Sequence, residues 1–158
     1  MPLKLVIGPA SFTLASHVPI FIAMLISPQV AFLVAIGTTF GFLIAGFPIV
    51  IVFRALSHLL FVLVGAIWVK YQPKLIATQK GRFLLAISIN MLHGLAEFAV
   101  VYLLTVSSMV NLSYIAYLFL LIGIGSILHG LLDFYLAYFL VTLLQNRMGI
   151  TLLSSKNN

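Results

Sequence analysis

The sequence predicts an all-α fold, an integral-membrane helical bundle forming one membrane-embedded domain over residues 1–158, and three observations carry that prediction. Of the 158 residues, 63% are hydrophobic and 6% are charged. The mean hydropathy is +1.26. Apolar runs of roughly spanning length follow one another, separated by stretches holding Pro, Gly or Lys. Such a chain has lipid as its outer solvent.

Five transmembrane helices are expected, over roughly 14–27, 29–46, 48–69, 82–105 and 114–145. About 20 residues are needed to cross the hydrocarbon core, so the first segment is short and the fifth is long enough to tilt or overhang. Residues 1–13 are expected to be non-helical. Ser27-Pro28-Gln29 and Gly46-Phe47-Pro48 read as tight connections, because proline restricts the residue before it and stops a helix that would otherwise run on. Ser107 to Ser113 is the polar stretch between the last two segments.

Charge sets the expected topology. Lys70, Lys74, Lys80 and Arg82 fall in and beside one loop, and Arg147 and Lys156 in the tail, two crossings later. Both basic stretches then share a face, and the excess of Lys and Arg marks that face as cytoplasmic. The net charge of +6 therefore reports membrane orientation, and no nucleic-acid partner is implied. The chain would begin outside, and residues 1–12 hold no basic stretch followed by an apolar run long enough for a signal peptide. The absence of cysteine excludes disulfides, thiolate metal sites and thiol nucleophiles.

Two acidic residues occur in the whole chain, each four places after a histidine in near copies of one phrase. The copies are Asn90-Met91-Leu92-His93-Gly94-Leu95-Ala96-Glu97-Phe98 and Ser126-Ile127-Leu128-His129-Gly130-Leu131-Leu132-Asp133-Phe134. A carboxylate facing hydrocarbon costs several kcal/mol, so both should face protein, water or a ligand. Helical spacing puts Asn90, His93 and Glu97 on one face of the fourth segment and Ser126, His129 and Asp133 on one face of the fifth. Arg54, Ser57, His58 and Phe61 form a comparable stripe on the third.

If His58, His93 and His129 lie near mid-depth, antiparallel geometry puts Arg54 and Glu97 on the outward side and Asp133 inward, about 12 Å from Glu97 in depth. Arg54, His58, Asn90, His93, Glu97, Ser126 and His129 are thus expected to line one small-molecule cavity opening outward. Asp133 is expected apart from it, a structural group bonded to His129. His17 either reaches the cavity or caps its entrance. The plainer alternative is a buried Arg54–Glu97 ion pair, with histidines satisfied by backbone and hydroxyls, locking the bundle. Ala31, Ala35, Gly37 and Gly41 make two small-xxx-small patterns that suit close packing within the bundle or docking on a partner.

The order of features resembles the substrate-binding S component of energy-coupling factor (ECF) vitamin transporters. Gly8-Pro9-Ala10-Ser11-Phe12-Thr13-Leu14 is similar to a stretch preceding the second helix of biotin-type members, and His17-Val18-Pro19 to the start of that helix in several vitamin-type members. A Gly-rich helix, a helix entering a basic loop and two further helices follow, so the likeness covers essentially the whole chain. It implies a six-helix family whose second to sixth helices correspond to the five expected here. The family's first helix, which carries an Ala-x-x-x-Ala contact with the coupling partner, is then expected before residue 1. The resemblance further implies a membrane coupling (T) subunit and two cytoplasmic ATPases as partners, with inward release by toppling of the S component.

No enzyme is expected. The Gly-x-x-x-x-Gly-Lys-[Ser/Thr], Gly-x-Ser-x-Gly and His-Glu-x-x-His patterns are absent, and Ser57 and His58, as neighbours on a helix, point about 100° apart. No cofactor and no metal are expected, the depth offset scattering the candidate ligands and Arg54 repelling a cation. A metal-ion carrier and a proton-coupled transporter using His, Asp and Glu remain as alternatives. For a vitamin-type ligand, Arg54 favours an anion such as nicotinate or pantothenate over a cation such as thiamine, because its planar fork suits a carboxylate. If Arg54 pairs with Glu97 the charges cancel, and a neutral ring becomes equally acceptable.

Overall fold

The computed structural model describes residues 4–7, 10–105 and 111–149. Strands β1 (Lys4–Ile7) and β2 (Ala10–Thr13) pair antiparallel, Lys4 opposite Thr13 and Ile7 opposite Ala10. They lead into the helices α1 (Val18–Ile26), α2 (Pro28–Ile44), α3 (Ile49–Tyr71), α4 (Lys74–Ala77) and α5 (Gln79–Thr105). A last helix, α6, runs over Leu112–Met148 and passes through a π-helical stretch at Phe119–Ile124.

Local chemistry explains the breaks. Ser27 closes α1 and caps α2, its hydroxyl accepting the Val30 N–H at 3.2 Å, and Pro28 occupies the first turn, where no N–H is needed. Gly46 turns the chain between α2 and α3 at φ +72°, a backbone conformation open to glycine. Asn111 caps α6 by accepting the Tyr114 N–H at 2.9 Å. Gly149 ends it at φ +64°.

The helical membrane bundle is as the sequence predicts. Helices α3, α5 and α6 are long and apolar enough to cross a membrane, and α2, an apolar helix of 17 residues, falls just short by length. Helix α1 has nine residues, about 14 Å of rise, and is packed among α2, α3 and α6. Phe21, Met24 and Leu25 are no more than 2% exposed. The helix expected over 14–27 starts at Val18 because residues 14–17 form turns.

The outside of the bundle is apolar, with Leu33 66%, Ile44 84% and Leu103 76% exposed, as lipid contact requires. The polar stripes turn inward. Arg82, at the start of α5, stacks over the Tyr138 ring of α6 at 4.6 Å, so the basic α3–α5 connection and the C-terminal part of α6 share one end of the molecule. Gly8 and Pro9 of the resemblance motif, Lys156 of the basic tail, and the 106–110 part of the polar connection lie outside the described residues.

Candidate functional site

Four segments converge on one polar centre: the turn before α1, and the inward stripes of α3, α5 and α6. Tight helix approach makes the convergence possible. A Cβ on Gly94 of α5 would collide with the Gly123 carbonyl and the Ile127 side chain of α6. A Cβ on Gly130 would collide with Asn90 and His93 of α5. The glycine following each histidine of the repeated phrase is therefore the contact that lets the two phrases pair antiparallel.

Glu97 sits at the hub. Its Oε2 accepts from Arg54 Nη2 at 2.9 Å and from the Ser126 hydroxyl. Its Oε1 lies 3.1 Å from His58 Nε2 and 3.6 Å from His93 Nε2. The carboxylate is 2% exposed. A buried charge of this kind persists only with such partners.

Asp133, fully buried, works differently. Its Oδ1 accepts the Ala15 N–H and its Oδ2 the His17 N–H, both at 2.9 Å. His129 Nε2 lies 3.3 Å and His17 Nδ1 3.4 Å from Oδ2. Ser16 adds a hydroxyl 3.1 Å from His129 Nε2. The turn so anchored includes Ala15 at φ +66°, a left-handed conformation unfavourable to a residue with a Cβ. Two charge-assisted bonds from one carboxylate hold that turn and deliver His17 into the centre. His17 lies ahead of α1, outside the three candidate spans, and burial pushes its imidazole down to about 4, leaving it neutral at physiological pH.

A cavity of about 510 Å³ opens beside the centre. Arg54, His58 and Glu97 line it, with His17, Ser16 and Thr13 on one side and Thr38, Phe42, Phe47 and Ile51 on another. Phe21, Phe61 and Phe134 pack beneath, Phe61 lying 4.6 Å from His93 between ring centroids. The cavity lies at the hairpin end, since Ile51, Arg54 and His58 occupy the first half of α3 and the basic connection follows its last residue. A groove of about 740 Å³ at the basic end is lined by Lys80, Arg82, Tyr135 and Tyr138 and lacks such converging buried polar groups.

Of the residues expected in the cavity wall, the structure brings Arg54, His58 and Glu97 to it. His93 and Ser126 stand directly behind, touching Glu97. Asn90 is fully buried and donates to its own helix at the Ala86 carbonyl, 2.8 Å away. Ser57 likewise donates to the Arg54 carbonyl at 2.7 Å. His129 reaches the site through Ser16 and Asp133 rather than from the wall. Ser16, Thr38, Phe42 and Phe47 carried no pattern that pointed to a cavity, and Thr13 stood out only as part of the resemblance motif.

Asp133 does not line the cavity and lies beside His129, but it is linked to the polar centre: His17 stands between the carboxylates, touching Asp133 directly, while one of its ring nitrogens lies within 4.8 Å of a Glu97 oxygen. The depth argument placed three histidines level and left out the imidazole inserted before α1. The candidate metal ligands are consequently not scattered. Ala31 and Ala35 are fully buried and unavailable to a partner, whereas Gly37 and Gly41 are exposed with nothing within 4 Å of an added Cβ.

Comparison with known proteins gives one informative match. The niacin transporter NiaX of Lactococcus lactis subsp. cremoris (strain MG1363) is 38% identical over 160 residues, an alignment covering 100% of this chain and 72% of the relative. No family model and no solved structure matches the chain.

Proposed function

Because this chain belongs to the family of the niacin transporter NiaX, the S components of ECF vitamin importers, we propose that its ligand is nicotinate, captured from outside in the cavity beside Arg54. The observation that carries the proposal is the cavity wall itself, where one guanidinium, one carboxylate and two imidazoles converge in an otherwise apolar bundle. Pockets for small polar molecules have this composition, apolar walls with a few oriented polar groups. The relative's being a niacin transporter supports niacin in particular over pantothenate.

In this reading Arg54 receives the ligand carboxylate, held in orientation by Glu97 from behind. Phe42 and Phe47, 4.9 Å apart between ring centroids, supply the aromatic side against which a pyridine ring stacks. The imidazoles of His17 and His58 offer the polar contact for the ring nitrogen. The chain is a binding subunit and performs no covalent chemistry. Its hairpin end faces outside and its basic end the cytoplasm, where a T subunit and two ATPases couple release to ATP hydrolysis.

Equilibrium binding of radiolabelled nicotinate to the purified protein in lipid nanodiscs, with pantothenate and thiamine as competitors, tests the assignment. Saturable nicotinate binding that thiamine leaves untouched is expected. Arg54→Ala should weaken it by about 10- to 100-fold, the range for losing a hydrogen bond to a charged group. Unchanged affinity in Arg54→Ala, or tight thiamine binding by the wild type, would overturn it.

A further inference from the structure

Three imidazoles and a carboxylate oxygen close around one point on the inner wall of the cavity. The ring centroids of His17 and His58 are 4.8 Å apart, those of His17 and His93 4.7 Å, and those of His58 and His93 5.1 Å. One donor atom from each of His17, His58, His93 and Glu97 lies within 4.8 Å of all the others. We propose that these four residues bind a single divalent transition-metal ion, zinc being the plainest case.

Three separate features support it. His93 is fully buried, yet neither ring nitrogen has a hydrogen-bond partner among the described residues, an arrangement that wastes a polar side chain unless something else is bound there. Glu97 divides its oxygens: Oε2 is occupied by Arg54 and Ser126, while Oε1 faces only the imidazoles. Asp133 lies 3.4 Å from His17 Nδ1, which leaves Nε2 as the ligating atom and reproduces the carboxylate–histidine–metal arrangement that orients ligands in metal sites. Nitrogen and carboxylate donors of this kind suit zinc.

Donor atoms around a tetrahedral zinc stand about 3.3 Å apart, so no pair here has to close by more than about 1.5 Å, within reach of side-chain rotation. A second grouping, His17, His129 and Asp133, is equally compact, but both Asp133 oxygens are already taken by backbone N–H groups. Arg54 does not veto the cation, because its charge is met by Oε2 of the same carboxylate.

Since His17, His58 and Glu97 also line the cavity, the ion's charge faces whatever enters and replaces the ring-nitrogen contact that the metal-free imidazoles offer. Without it, Arg54 and Glu97 cancel, and ligating imidazoles are neutral. With it the wall carries two positive charges and selects an anion. This last consequence rests on the vitamin reading; the metal site does not.

The test is zinc alone, titrated against a competing chromophoric chelator, on full-length protein stripped of metal in detergent. One equivalent of zinc should bind, with X-ray absorption showing nitrogen and oxygen neighbours at about 2.0–2.1 Å and multiple scattering from imidazole. His93→Ala and His58→Ala should each lower zinc affinity by at least about 100-fold, beyond the usual effect of losing an outer partner. No stoichiometric uptake by the wild type, or wild-type zinc affinity in both variants, would overturn the site. If a variant fails to fold, the absorption spectrum of the wild type still decides, because a site without imidazole would overturn it. Nicotinate binding, measured separately on zinc-loaded protein, bears on the vitamin and leaves the metal result standing.

Discussion

Glu97 and Asp133 end two copies of one phrase, on neighbouring helices, and do different work. Glu97 gathers side chains, taking Arg54, His58 and Ser126, and stands in the cavity wall. Asp133 gathers backbone, accepting the N–H groups of Ala15 and His17, and lies behind it. The difference comes from what each carboxylate meets: α5 faces the polar stripe of α3, whereas the inner turn of α6 faces the chain entering α1. One acid shapes the site and the other holds a histidine in it. A repeated motif in a membrane helix therefore marks two buried polar groups without making them equivalent.

The largest expected effect breaks the hub. Glu97→Ala leaves Arg54 and His58 without their shared partner in a buried setting. It should cost about 3–5 kcal/mol of stability and abolish nicotinate binding. Thermal unfolding in detergent and equilibrium dialysis would read both. Asp133→Ala comes next, because it strands two backbone donors, each worth about 1–3 kcal/mol when left unsatisfied, and frees His17. Binding should fall by about 10- to 100-fold, while a residual site keeps selectivity against thiamine. Were Asp133→Ala to change which vitamin binds, the contrast between the two acids would be lost.

Gly130→Ala sharpens the comparison from the packing side. The new methyl meets Asn90 and His93, so the helices must part, at about 1–3 kcal/mol. Since this moves both phrases together, hydrogen exchange should rise on α5 and α6 alike and leave the α2–α3 turn unchanged. The smallest effect belongs to Ser126→Ala, which removes one of several bonds to Glu97 and should weaken ligand binding by about fivefold, near 1 kcal/mol. A loss as great as that of Glu97→Ala would show that the serine, and not the arginine, orients the carboxylate.

Much of this was legible in the residues. Composition announced the membrane, and the i, i+3, i+7 spacing put Glu97 and His93 on the same inward face that the fold gives them. Arg54 stood out as a buried charge, and its pairing with Glu97 was the plainer of the two expected outcomes. The failures share one cause. Helical spacing orders residues within a helix, but His17 enters from a turn, and no periodicity describes a turn that Asp133 holds from 116 residues away. The same omission hid the compactness of the histidines. That α1 packs into the bundle was hidden as well, because apolar composition does not say whether a segment faces lipid or the bundle core. Thr38 and Phe42 matter only because α2 places them beside the cavity, which nothing in their local sequence records.

A structure of the full-length protein with nicotinate bound in a lipid environment tests the central claim most directly. Ligand density is expected between Arg54, His58 and the Phe42–Phe47 pair, with the carboxylate on the Arg54 guanidinium. Density in the groove beside Lys80, Arg82 and Tyr138 at the basic end, with the Arg54 cavity empty, would contradict it.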